Sequence, residues 1–212
     1  MSGILDLLNS DLGKQLISGA SSEANTSPNQ TAGILQAAIP LLGAAMQKNA
    51  QQPQAAEGLL NALKDKRHDG SLLDNLGGYF GGGVDESAKM DGAKILGHLL
   101  GNKQSTVEHA ISQKTGVSSS SIAQILKVAA PVLMAYMGKQ ARQNNVSSTN
   151  GLEGVLGSLF GDSSKNTSLL TALLDSNGDG SIIDDIAGMA LGGNKNSKSG
   201  GLGGMLGGLF KR

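Results

Sequence analysis

The stretch ILQAAIPLLGAAMQK at residues 34–48 returns as ILKVAAPVLMAYMGK at residues 125–139, with identical residues at 8 of 15 positions. Each stretch is apolar on nearly every side of a helix, which is typical of a buried central helix. Both keep a proline at the same place, Pro40 and Pro131. Because a proline inside a helix removes a backbone hydrogen bond, the pattern predicts two related central helices, each kinked at its proline.

A second pair of segments repeats further along the chain. LLNALKDKRHDGSLLDNL at residues 59–76 recurs as LLTALLDSNGDGSIIDDI at residues 169–186. No stretch of useful length shows the alternation of a β-strand. We therefore expect an all-α protein of tandemly duplicated helical bundle units, each with an Asp-Gly-Ser turn at a matching place.

The two repeats divide the chain into three predicted parts. The first pair is offset by 91 positions and the second by 110, so the second unit carries a 19-residue insertion. We predict a first helical unit at 1–90 and a second at 91–192, with the insertion at about 140–168. Residues 193–212, rich in Gly and Leu and free of acids, are predicted to be a flexible basic tail.

Serines precede both central helices and predict where they begin. Ser27 is followed by Pro28, which is an N-cap followed by proline at the first helical position. Ser118 occupies the equivalent place in the second unit. We expect both central helices to start at these serines.

The stretch ISQKTGVSSSSIAQILKVAAPVLMAYMGKQ at residues 111–140, with the Asp-Gly-Ser loops and the Gly-Leu-rich ends, resembles the bacterial YidB-like family, domain of unknown function 937. The resemblance extends from residue 1 to about 190, through both predicted copies. It implies a compact helical fold and no established activity.

Composition excludes several classes of protein. Lys plus Arg and Asp plus Glu number 17 each, so no overall charge attracts nucleic acid or an anionic membrane. Cysteine is absent, which excludes disulfides and thiolate metal sites. The first residues lack a basic signal region, and no apolar run approaches a membrane span. We expect a cytoplasmic protein.

The strongest chemical signal is the loop from Asp175 to Ser181. Oxygen ligands at Asp175, Asn177 and Asp179, with Ser181 through its carbonyl, follow the spacing of an EF-hand-like Ca²⁺ loop. The twelfth position is Ile186, where such loops carry a bidentate Glu. Weak Ca²⁺ binding therefore remains an alternative to a cofactor-free structural turn.

The structural alternative rests on helix capping. Ser181 with Asp184, and Ser71 with Asp74 in the first unit, have the spacing of a capping box at a helix start. In the first unit Arg67 stands at the third ligand position, where a cation argues against metal.

Residues 111–126 have the order helix, Thr-Gly-Val-Ser, helix, which is the pattern of a DNA-binding helix-turn-helix. The second helix offers serines and Gln124 to bases, and Lys114 and Lys127 are few phosphate contacts. It then becomes too apolar to lie in a groove. A Ser-capped helical corner is the favoured interpretation, and nucleic-acid binding the alternative.

Two glycine-rich segments predict an interaction surface. GLEGVLGSLF at residues 151–160 and GLGGMLGGLF at residues 201–210 match at seven of ten positions. In the second, one helical face is apolar and consists of Leu202, Met205, Leu206, Leu209 and Phe210. Each interior glycine costs about 1 kcal/mol relative to Ala, so neither segment is expected to be a stable helix alone.

We expect the two segments to have different partners. Residues 151–160 are predicted to pack on the protein's own core. For residues 201–210 we predict a protein partner or a homo-oligomer, with peripheral membrane contact through Lys211 and Arg212 as an alternative.

Catalytic patterns are absent from the sequence. His68, His98 and His109 are scattered, and no nucleophile elbow or P-loop occurs. We therefore predict a non-enzymatic protein of unknown function, in essence a helical interaction or self-assembly module.

Overall fold

The fold comes from a computed structural model that describes residues 4–161, with the backbone alone for Leu5 and Asp6. Its helices, in chain order, are α1 Ile4–Asn9, α2 Asp11–Ala24, α3 Pro28–Ala50, α4 Pro53–Lys64, α5 Ser71–Asp74, α6 Leu76–Phe80, α7 Glu86–Leu100, α8 Gln104–Thr115, α9 Ser119–Gln143 and α10 Thr149–Phe160. Short 3₁₀ turns lie at Lys66–His68 and Gly101–Lys103. Residues 4–161 contain no strand, and the predicted all-α class is confirmed.

Both long helices begin where their capping serines predict. The Ser27 hydroxyl accepts the Gln30 N–H at 3.2 Å, and the Gln30 side chain accepts the Ser27 N–H at 3.0 Å. Ser118 accepts the Ser121 N–H at 3.2 Å. These bonds satisfy backbone donors that have no partner within a helix's first turn.

The proline in α9 creates a contact between helices. Helices α3 and α9 run through Pro40 and Pro131 without a break, and the predicted kinks stay a prediction. Pro131 has no N–H to donate to the Lys127 carbonyl one turn earlier. That carbonyl lies directly against Gly92 of α7, where an added Cβ would overlap it. A glycine on α7 therefore allows the helix to pack on the gap that the proline leaves.

One hydrophobic core draws on helices from both predicted units. Helix α9 lies at its centre, in contact with α2, α7 and α8, while α10 packs mainly on α3. The predicted boundary between residues 90 and 91 falls inside α7. Side chains from both sides of that boundary are therefore buried together.

Helix α9 passes a test of length and composition for a membrane span, although the sequence predicts none. Its most apolar 18-residue window has a mean hydropathy of 1.4, and 72% of that window is buried inside the protein. Core helices pass the same test, and α9 packs on neighbours along its length.

Candidate functional site

The predicted Ca²⁺ ligands (Asp175, Asn177, Asp179, Ser181) and the predicted contact residues (Leu202, Met205, Leu206, Leu209, Phe210) all lie outside the described residues. Each group has a counterpart in sequence that the structure does describe. The loop at 65–71 corresponds to 175–181, and the segment at 151–160 corresponds to 201–210.

The segment 151–160 is a helix held by its apolar stripe. Ser148 caps its first turn, accepting the Gly151 N–H at 3.3 Å. The buried side chains of α10 are those of the predicted stripe, Leu152, Val155, Leu156 and Leu159. They pack on α3 and α4, so the predicted docking of this segment on the protein's own core is confirmed.

The end of α10 is fixed on α3 at two points. The Phe160 ring lies on Gly43, and an added Cβ at Gly43 would overlap the ring. Four residues along α3, the Gln47 amide donates to the Gly161 carbonyl at 2.9 Å and to the Leu156 carbonyl at 3.4 Å. The Gly161 carbonyl lies just past the helix end and has no partner within the helix, so the Gln47 amide provides its donor.

The same docking occurs at the end of α6. Its last residue, Phe80, lies on Gly19 of α2, where an added Cβ would again overlap the ring. Phe80 also packs edge to face on Tyr79, with the ring centroids 4.8 Å apart. A phenylalanine at a helix end therefore docks on a glycine of a neighbouring helix in two places.

Sequence reasoning missed the signal common to these two sites. The chain has three phenylalanines, and each ends the pattern Leu-Gly-x-x-Phe, at residues 76–80, 156–160 and 206–210. We call this pattern the LGxxF motif. Its recurrence is visible in the sequence, but only the structure shows that the ring seats on a glycine.

In the first Asp-Gly loop, a side-chain cation neutralises the carboxylate. Arg67 donates from Nε and Nη2 to the two carboxyl oxygens of Asp65, at 3.1 and 3.0 Å. Its Nη1 donates to Asp91 of α7 at 2.9 Å. The hydrogen bonds to Asp65 from the Arg67 side chain and from the Arg67 backbone N–H lower the pKa of Asp65 to about 2. The loop is thus closed by an ion pair between its own side chains.

The capping box predicted at Ser71 and Asp74 is wrong. Ser71 is the first residue of α5, and its N–H donates to the Asp69 carboxylate at 2.9 Å. Gly70 takes the left-handed conformation between them, with φ +98°. An Asp that accepts from the residue two positions on forms its own turn, so Ser71 is not needed as a cap. Asp74 instead lies 3.6 Å from the Lys139 ammonium of α9.

Polar contacts hold this loop against α7 and α9. His68 is 3% exposed, with Nδ1 at 2.8 Å from the Ala62 carbonyl and Nε2 at 3.3 Å from Asp91. Arg142 donates to the carbonyl of His68 and, through its other nitrogen, to those of Lys64 and Asp65, each at 3.2 Å. The loop serves as a structural joint between α4, α7 and α9.

A surface cleft of about 720 Å³ lies beside this joint. Leu72, Tyr79 and Pro131 supply apolar lining, and Arg67 and Lys94 supply cations. The Tyr79 hydroxyl donates to the Val128 carbonyl at 3.1 Å, and burial raises its pKa. Within residues 4–161, no three His, Cys, Asp or Glu side chains form a group suited to a metal ion.

The predicted helical corner at 111–126 is present. Helix α8 ends at Gly116, with φ +71°, and α9 starts after Ser118. Ile122 and Ile125 are fully buried, so the helix that would read DNA begins to enter the core within its first turns. This agrees with a Ser-capped corner.

More than half of the chain matches one known protein family. Residues 6–140 match the family described as bacterial protein of unknown function (DUF937). The chain belongs to the DUF937 family. No curated protein and no solved structure matches the chain.

The DUF937 match covers the first loop and most of the core but stops before α10. It includes 91–140 of the second predicted unit and does not test whether the chain holds two copies. The segments 151–160 and 201–210 lie beyond it. The repeat that these two segments form therefore lies outside the part of the chain that matches the family.

Proposed function

We propose that this DUF937 protein is a non-enzymatic helical interaction module that self-assembles, or binds a protein partner, through residues 201–210. The observation that carries the proposal is the docking of α10 on α3. A glycine-rich segment matching 201–210 at seven of ten positions is ordered there by burying its stripe. Residues 201–210 have the same stripe and need an apolar surface of the same kind.

The described body exposes few large apolar side chains. Among its described side chains, Met90 is the one exposed large hydrophobic, with 60% of its surface accessible. The docking surface that suits the stripe on α3 is already occupied by α10. Two further glycines, Gly203 and Gly208, replace Glu153 and Ser158, so the sequence 201–210 has the lower helix propensity of the two. This supports contact with another molecule over displacement of α10.

The test compares matched glutamate substitutions in the full chain by light scattering. Leu206→Glu places a charge at the position of Leu156, which is fully buried in α10. Gly203→Glu makes the same charge change at the position of Glu153, which is exposed. We expect an oligomer for the wild type and for Gly203→Glu, and a monomer for Leu206→Glu and for a 1–192 truncation.

Three outcomes would count against this proposal. Equal masses for the two glutamate variants would mean that the stripe is not the contact. An oligomer that persists in the 1–192 truncation would place the interface elsewhere. A monomeric wild type that co-sediments with anionic vesicles would make the contact a membrane one.

A second candidate function is weak Ca²⁺ binding by residues 175–181. One observation favours it: in the loop at 65–71, Arg67 neutralises Asp65, whereas the corresponding residue near Asp175 is the uncharged Asn177. Carboxylates without a built-in cation are available to an external one. Ca²⁺ should then raise the melting temperature of the wild type and not that of Asp179→Ala. Ser176→Ala, at a non-ligand position, should respond like the wild type, and a chain indifferent to Ca²⁺ would end this candidate.

A further inference from the structure

The LGxxF motif has the same arrangement in both of the copies that the structure describes. In both described copies, at residues 76–80 and 156–160, the phenylalanine is the last residue of a helix and covers a glycine on another helix. The glycine in the second position of the motif, Gly77 or Gly157, has no atom within 4 Å of an added Cβ. The ring and the leucines make the contact, while that glycine faces open space.

One glycine of the described helices has room above it for an aromatic ring. Gly33 of α3 is half-buried, and no atom lies within 4 Å of an added Cβ. It lines a surface cavity of about 500 Å³ together with Ala37 of α3 and Thr115 of α8, and the polar side chains of Asn29, Gln30, Gln36 and Lys114 complete the lining. We call this cavity the Gly33 notch.

Other helical glycines differ from Gly33 in exposure. The ones with equally open space are exposed on the surface: Gly58, Gly77, Gly97, Gly154 and Gly157. The two glycines that a phenylalanine ring covers are Gly19, which is half-buried, and Gly43, which is buried. Gly33 is therefore half-buried like Gly19, which a phenylalanine ring covers, but no atom lies close to an added Cβ at Gly33.

We propose that Phe210 of one copy seats in the Gly33 notch of a second copy. This inference rests on the proposed function, because it names the surface that receives residues 201–210. The occupant is the third LGxxF motif, which belongs to the 51 residues that follow Gly161. A contact between two different surfaces is head-to-tail, so it builds a ring or an open chain of copies.

Gly33→Leu in the full chain tests the receiving surface. An added Cβ at Gly33 meets no atom within 4 Å and the rest of the leucine side chain has the cavity of about 500 Å³ to occupy, so we expect the variant to fold with its notch filled. We expect the dissociation constant of self-association, measured by sedimentation equilibrium, to rise at least about 30-fold, as when a central contact residue is removed. Gly97→Leu, at an exposed and equally open glycine of α7, should associate like the wild type.

Two substitutions in the motif test the occupant. Phe210→Leu keeps an apolar side chain but removes the ring, and should weaken association by a similar factor. Gly207→Ala should tighten association about fivefold, because the equivalent glycines face open space and alanine favours the helix. Weaker association of Gly207→Ala would contradict the docking geometry.

The results separate this inference from the proposed function. If association requires Leu206 but Gly33→Leu associates like the wild type, the notch assignment is overturned and the contact role of 201–210 stands. If the full wild-type chain is a monomer, the notch assignment and self-assembly through 201–210 are both wrong, and of the proposed function only the binding of a different protein partner stands.

Discussion

Substituting alanine at two glycines of α3 tests whether a seated ring holds α10. At Gly43 the new methyl group would overlap Phe160, whereas at Gly33 it would meet no atom within 4 Å. Both changes gain about 1 kcal/mol of helix propensity, so this contribution cancels in the comparison. Overpacking costs about 1–3 kcal/mol, which should make Gly43→Ala less stable than Gly33→Ala by that amount.

The assay for this pair is urea unfolding followed by circular dichroism at 222 nm. Gly33→Ala should be more stable than the wild type, and Gly43→Ala should fall below Gly33→Ala by the difference above. Hydrogen exchange should show where the loss occurs, because a displaced Phe160 loosens α10 before α3. Equal stabilities for the two variants, or unchanged exchange in α10, would refute the view that the ring on Gly43 fixes this helix.

Further predictions concern the loop and the packing of α7. The pKa of Asp65 in the fold, about 2, lies below its unfolded value of about 3.9, so its contribution to stability is present above about pH 4 and is lost as the pH falls through about 2. In Arg67→Gln, NMR titration should give Asp65 a pKa closer to its ordinary value. An unchanged pKa would contradict the ion pair between Arg67 and Asp65. Gly92→Ala should be less stable in urea than Gly97→Ala by about 1–3 kcal/mol, since only the former meets a backbone carbonyl; equal midpoints would show that α7 can shift at no cost.

Local sequence rules were enough to predict the helix starts and the docking of α10. Ser27, Pro28 and Ser118 determine where the long helices begin through bonds to neighbours in the chain. The spacing of leucines in 151–160 predicts a buried face without any knowledge of its partner. These features depend on a few adjacent residues.

Features that depend on distant residues were not predictable in the same way. The seat of Phe160 is Gly43, more than a hundred positions earlier, and no local pattern connects the two. The Asp69 carboxylate accepts the Ser71 N–H across a left-handed Gly70, an arrangement that the capping-box spacing does not reveal. The repeat predicts two units but not that their helices share one core.

The most direct test of self-association is the mass of the full chain by sedimentation equilibrium across a wide range of protein concentrations. We expect a mass above the 21.4 kDa of one chain at high concentration, falling to that value on dilution. A mass of 21.4 kDa at every concentration would contradict assembly through residues 201–210.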